Sequence, residues 1–270
     1  MGLYDIIDDI SERNILKTDM GDNRVFGVTV GTVAKNYDKD HAGYVFVSIP
    51  TRDTSDKIFQ WARLAMLSAG KSWGHYFVPE VDDQVLLAFE DGIFERPYVI
   101  ACLPKDSDSY LKAGFHEQNQ IKGIYTRTGN TIQFDDCDDD KGAKDKITVM
   151  TGGKEHKILL DNENSKIVIS DKDGKNSVTM MTEDGKMTIN AATELTIKIG
   201  DGVTMKMSDQ TGSVSIQCKE FKVSASSQIN MKTDGSLKLD GSQVQVAANS
   251  MVKVESSGML KLGGTPVSVG

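Results

Sequence analysis

Residues 214–270 read VSIQCKEFKVSASSQINMKTDGSLKLDGSQVQVAANSMVKVESSGMLKLGGTPVSVG. Within them, apolar residues come in pairs with one polar residue between: Val214/Ile216, Phe221/Val223, Ile229/Met231, Leu237/Leu239, Val244/Val246, Val252/Val254, Leu260/Leu262 and Val267/Val269. The first members follow one another at 7, 8, 8, 7, 8, 8 and 7 residues. Alternation of period two is the mark of a strand with one buried side. The intervening residues, Lys222, Asn230, Lys238, Gln245, Lys253, Lys261 and Ser268, form a polar column for the other side. Asp-Gly, Ser-Gly, Ser-Ser and Ala-Asn between the pairs suit tight turns. Each unit is one short strand and one turn.

The pattern continues upstream, less regularly, through Val203/Met205, Leu195/Ile197, Met187/Ile189, Val178/Met180, Ile167/Ile169 and Ile158/Leu160. An eight-residue strand cannot bury its apolar side alone, so the units must stack. Two windings fit an octad. One chain supplies three consecutive octads to each coil, or three chains wind together and every layer mixes subunits. The second is favoured, because the axis of a narrow three-sided prism admits Val, Leu, Ile and Met but not rings. Seventeen of the eighteen aromatic residues lie between Tyr4 and Phe134, and Phe221 is the other.

Charge divides at nearly the same place. Residues 1–146 hold 17 Lys/Arg against 25 Asp/Glu, and residues 147–270 hold 14 of each. The net charge of −8 over 270 residues gives nucleic acid no general reason to bind. No stretch approaches the roughly 18 apolar residues of a spanning helix. Cys102, Cys137 and Cys218 form no CxxC pair, which argues against a disulfide framework or a zinc site. The opening MGLYDIIDDI has no basic stretch ahead of its apolar positions, so a secretory signal is not expected.

The first half reads as a compact barrel with a helical entry. Leu3, Ile6, Ile7 and Ile10 fall on one side of a short helix, which either packs on its own domain or docks a partner. Five strand-like runs follow: RVFGVTVGTVAKNYD (24–38), GYVFVSIP (43–50), WARLAML (61–67), QVLLAFE (84–90) and RPYVIACL (96–103). Five strands in a partly open barrel make the OB architecture. The expected organisation is all-β: residues 1–22 a helical adaptor, 23–104 an OB-fold barrel, 105–146 a linker with the first β-helix strands, and 147–270 an intertwined triple-stranded β-helix built as a homotrimer.

The residues Trp61-Ala62-Arg63, Ala69-Gly70, Tyr76-Phe77-Val78-Pro79-Glu80-Val81, Val85-Leu86-Leu87-Ala88-Phe89-Glu90, Gly92 and Arg96-Pro97-Tyr98-Val99 resemble the OB domain of the VgrG and phage gpV baseplate-spike family. In that family the barrel is followed by a three-chain β-helix of octads, so the resemblance runs from about residue 25 to the end. Asp82-Asp83 stands where the family commonly has Gly-Asp, and Ala101-Cys102 where it usually has Gly-Ser. The resemblance implies a trimeric central spike of a contractile injection machine (phage tail, tailocin or type VI apparatus), made in the bacterial cytoplasm and driven into a target cell envelope. No large hub region precedes the barrel, which implies a separate hub protein, with Leu3, Ile6, Ile7 and Ile10 as its docking surface. No lysozyme domain is inserted, and no His-x-His lies near the end, the last histidine being His156. The expected apex is therefore a blunt trimeric end at Leu260, Leu262, Val267, Val269 and Gly270, covered by a PAAR-type tip protein.

A search for catalytic groupings finds little. His41, His75, His116 and His156 are scattered, with no HExxH, GxSxG, P-loop or dinucleotide fingerprint. His75, in WGHYF, reads as a structural histidine. The acidic run Asp135, Asp136, Asp138, Asp139 and Asp140 lacks EF-hand spacing and reads as a solvated loop. Glu80 and Glu90 read as barrel-turn residues. No enzyme and no cofactor are expected. Two rival classes remain: an OB carbohydrate or nucleic-acid module on a β-solenoid stalk, and a solenoid lyase or hydrolase. The second needs clustered acids and aromatics along the solenoid, which the composition after Phe134 does not offer.

Overall fold

A computed structural model describes residues 15–17, 23–25, 27–50, 57–137 and 141–268. The expected helix with Leu3, Ile6, Ile7 and Ile10 lies outside the described residues, as do Val269, Gly270 and Asp138–Asp140. Those described are almost wholly β or irregular. The contacts divide the chain into two units, Met1–Leu195 with Ser208–Gly212, and Thr196–Met207 with Ser213–Gly270.

The first unit opens with a small pair, β1 (Ile15–Lys17) and β2 (Asn23–Val25), antiparallel. The barrel follows: β3 (Val28–Lys35), β4 (Tyr44–Pro50), β5 (Lys57–Leu64), β6 (Gln84–Phe89) and β7 (Pro97–Leu103), closed in the order β3-β4-β5-β7-β6. The parallel contact that closes it joins Arg63 to Tyr98 and Leu64 to Val99. Inward residues alternate along each strand, so Val33, Val45, Val47, Ile49, Ala62, Val85, Leu87 and Val99 make the core. Gly31 lets β6 approach, since a Cβ there would stand 2.8 Å from Leu87 Cδ1.

Two boundaries differ from the sequence reading. The run expected as one strand from Arg24 is split at Gly27, whose φ of +91° breaks the ladder between β2 and β3. The third barrel strand starts at Lys57, four residues before Trp61, and ends at Leu64 rather than Leu67. There the pairing partners run out: the Leu64 N–H bonds Gly43 O and the Ala65 N–H bonds Val99 O. The chain then leaves the barrel as the loop 65–83.

After a short helix, Ser109–Gly114, come seven strands: β8 (Ile121–Tyr125), β9 (Thr131–Asp135), β10 (Lys146–Met150), β11 (His156–Asp161), β12 (Lys166–Asp171), β13 (Ser177–Met181) and β14 (Lys186–Asn190). They form one antiparallel meander in sequence order, continuous across residue 146. The turns are closed by side chains competing for backbone groups. Asp161 accepts from the Asn164 N–H (3.1 Å) and Nδ2 (2.9 Å), Asp171 from the Asn176 Nδ2 (2.7 Å), and Thr126 Oγ1 from the Asn130 N–H (3.1 Å).

A three-stranded sheet is made by β15 (Glu194–Ile199), β16 (Val203–Ser208) and β17 (Ser213–Gln217). From Cys218 to Ser268 the described residues make no strand within the chain. The backbone instead bends at Ser226-Ser227, Asp234-Gly235, Gly241-Ser242, Asn249-Ser250, Ser257-Gly258 and Thr265-Pro266. An apolar pair sits between each bend and the next. The bends thus carry the same seven-to-eight-residue beat as the sequence.

Candidate assembly surface

In the meander the registers stack apolar side chains into two rows. Ile124 faces Ile132, then Val149, Ile158, Ile169, Val178 and Ile189 follow strand by strand. Phe134, Ile147, Leu160, Ile167, Met180 and Met187 make the second row. Members of the two rows are two residues apart on each strand, so both rows lie on one side of the sheet. The same arithmetic puts Gln133, Thr148, Leu159, Val168, Thr179 and Thr188 on the other side. The first row lines an open groove of about 1040 Å³, joined by Phe77 from the barrel loop. Ile158 is 40% exposed and Ile189 49%.

The octad segment is barer still. Phe221, Leu237, Leu239, Val246 and Val254 are each more than half exposed, with Leu239 at 65%. The chain's accessible surface is 22120 Å². A compact monomer of 29.5 kDa has roughly 11,500 Å². Apolar side chains left open in this number are what assembly interfaces leave uncovered in a lone chain.

Three lysines of the octads' polar column have acidic partners close by in sequence. Lys222 meets Glu220 at 2.7 Å, Lys238 meets Asp240 at 3.0 Å and Lys253 meets Glu255 at 2.6 Å. In the sheet, the row Asp135, Lys146, Asp161, Lys166 alternates in sign across four strands. Lys146 Nζ lies 4.0 Å and Lys166 Nζ 3.8 Å from the Asp161 carboxylate, and Lys146 also bonds Glu163. Burial pushes the Asp161 carboxyl up, but the Asn164 hydrogen bonds and the two lysines outweigh it and hold it below its ordinary value.

The barrel's outer side carries a run of rings where OB folds take ligands, on the second and third strands and the loop between the first two. His41 stacks on Trp61 at 4.1 Å, Trp61 neighbours Phe46 at 5.0 Å, and Phe46 stacks on Phe59 at 5.5 Å. Lys35 Nζ sits 5.7 Å from the Trp61 ring and 2.7 Å from Asp38, which also takes a bond from His41. The Lys35 and His41 bonds hold Asp38 far below the ordinary carboxylate range. Two of these contacts are stacked and one is tilted, so the run braces β4 and β5 against each other.

The residues singled out from sequence fall as follows. Leu260, Leu262 and Val267 are exposed, and their partners Val269 and Gly270 lie outside the described residues, with Leu3, Ile6, Ile7 and Ile10. His75 is exposed, and its Nδ1 meets Ser68 Oγ at 2.7 Å within the loop. Glu80 joins barrel to sheet, accepting from Arg127 (3.2 Å) and Asn36 (3.3 Å), while Glu90 meets Tyr98 Oη at 3.3 Å. Asp135 is a member of the ladder. Among the described residues no three His, Cys, Asp or Glu side chains gather as metal ligands. Sequence reading missed the one-sided sheet at 121–190 and Phe77 at its groove. A signal for the sheet existed: pair starts at 147, 158, 167, 178 and 187 are spaced 11, 9, 11 and 9, leaving room for reversing turns.

Residues 29–103, the barrel, match the family model described as the Type VI secretion system/phage-baseplate injector OB domain. This is the domain that the Trp61–Val99 motifs resemble. No curated protein matches the chain.

Proposed function

We propose that this chain, whose barrel is an injector OB domain of the type VI and phage-baseplate family, forms as a homotrimer the membrane-piercing central spike of a contractile injection machine. The observation that carries the reading is the octad segment. It bends at a seven-to-eight-residue period and leaves both apolar members of every described pair without cover in its own chain. Backbone N–H and C=O groups that find no ladder partner within the chain need one from elsewhere. Two further copies, wound at the same pitch, supply both ladder and core. The meander has the same need on a larger scale: three such sheets, apolar sides inward, close a prism.

The action is mechanical. Sheath contraction drives the tube forward, and the spike transmits the thrust to the target envelope. Stiffness follows from winding, since no chain can loosen without disturbing two others. Burial of each apolar side chain contributes about 1.5–3 kcal/mol before the entropy of ordering is subtracted. The base of the spike meets a hub protein through Leu3, Ile6, Ile7 and Ile10. Its apex, at Leu260, Leu262, Val267, Val269 and Gly270, is capped by a PAAR-type tip protein. No catalytic step is assigned. Phage tail or tailocin is the reading preferred over a type VI apparatus.

Light scattering on a sizing column tests the assembly. The expected mass is three times 29.5 kDa, persisting in detergent without boiling. A single-chain mass would overturn the spike and leave three octads of one chain to close each coil.

A further inference from the structure

The loop between β5 and β6 displays large apolar side chains although it is firmly built. Leu67, Trp73, Tyr76 and Phe77 are exposed, Leu67 at 90% and Tyr76 at 79%. The loop's frame is nonetheless fixed. The Gly70 N–H bonds Trp73 O at 2.8 Å, the His75 N–H bonds Ser68 O at 3.0 Å, Ala69 bridges Gly74, and the Ser68 hydroxyl meets the His75 ring. The Trp73 indole lies across Gly70, where any Cβ would overlap it. One side of the indole is therefore occupied by its own loop and the other is offered outward. At the loop's end Val78 packs on the barrel core, and Glu80 holds Arg127 of the β8–β9 turn. A rigid loop that presents rings to water has already spent the ordering entropy that a contact would cost.

From this arrangement we propose that the Leu67–Phe77 loop is an interchain clamp, packing on the barrel-proximal end of the sheet of a second copy of this chain. The inference rests on the trimeric reading. The occupant is argued from continuity: Phe77 lines the same groove as Ile124, Ile132 and Val149, so the loop's apolar surface runs on into the apolar side of the sheet. That side needs other copies to cover it, and whatever covers the sheet at its Ile124/Ile132 end comes against Phe77. The contact is heterologous, loop of one copy to sheet of the next, and three such contacts close a ring. The clamp locks the three chains together at the barrel level. It gives His75 a role: with Ser68 it holds the loop in the presenting conformation.

The chain has two tryptophans, so Trp61→Phe leaves Trp73 as the only one. Light-scattering mass and acrylamide quenching are measured on the same full-length sample. The clamp predicts a trimeric mass, blue-shifted Trp73 emission and quenching several-fold slower than for free tryptophan. A trimeric mass with Trp73 quenched as freely as the amino acid overturns the clamp while leaving the spike reading intact. A monomeric mass overturns both. If Trp61→Phe loosens the barrel, subtracting the Trp73→Phe spectrum from that of the wild type isolates the same signal.

Discussion

Asp161 stands where a hairpin turn and a charge ladder meet, at the end of an interior strand of the sheet. Its carboxylate takes two bonds from Asn164 and lies within 4.0 Å of both Lys146 and Lys166. Its pKa is below the ordinary 3.8 in the folded chain. A depressed carboxylate contributes stability that is fully present above its unfolded pKa and lost as pH falls through the folded one. Asp171, held down first by the Asn176 side chain, acts with the same sign. The sheet is therefore expected to weaken on the acid side of 3.8, with little change between neutrality and that point from these groups. In urea titrations Asp161→Asn should lower the midpoint at pH 7, and the gap to wild type should narrow as pH falls below 3.8. A gap that stays constant down to pH 2 would mean that the ionised form is not what the turn uses.

At the scale of elements, two kinds of β-structure share one alternating pattern. In residues 147–190 the pairs sit 11 and 9 apart, and loops of five and four residues reverse the chain into an antiparallel meander. From 214 onward they sit 7 or 8 apart, and past β17 the chain bends at that beat without pairing on itself. The barrel was legible because its apolar alternation and motif residues Trp61, Pro79 and Arg96-Pro97 are local signals. The ends of its strands were not, because Gly27 and the partners of Leu64 decide them through contacts distant in sequence. The one-sided sheet was half legible: its apolar pairs were visible, its direction was not. The clamp loop carried no signal, since exposure of Trp73 and Phe77 depends on how the barrel closes. In the proposed winding, consecutive octads from different chains lie about 4.8 Å apart, so their outward residues stack as Lys222, Asn230, Lys238, Gln245, Lys253. Lysines alternate with amides, and each of the three lysines has its own acid within two residues. With Lys261 next in the column, Asn230→Lys with Gln245→Lys makes six consecutive lysines. The trimer's thermal midpoint should then fall at low ionic strength and recover with salt; a midpoint unchanged at low salt would argue that these residues do not stack.

For the whole molecule, the question is what an accessible surface of 22120 Å² is for. The apolar side chains left open are concentrated in the octads and on one side of the meander. In the proposed trimer, winding makes folding and assembly one event there, while the barrel has its own closed core of eight buried residues within the single chain. Under that proposal stability is shared unequally, between a self-sufficient barrel and octads that are ordered only in the trimer. Val244→Asp separates the two. Threefold symmetry turns one substitution into three carboxylates in one dry layer, where like charges and lost solvation act together. The variant should lose the detergent-resistant trimer, and its mass should drift toward 29.5 kDa on dilution, while the near-ultraviolet signal of Trp61 in the barrel persists. Retention of a detergent-resistant trimer would place Val244 off the axis and with it the whole phase of the octads.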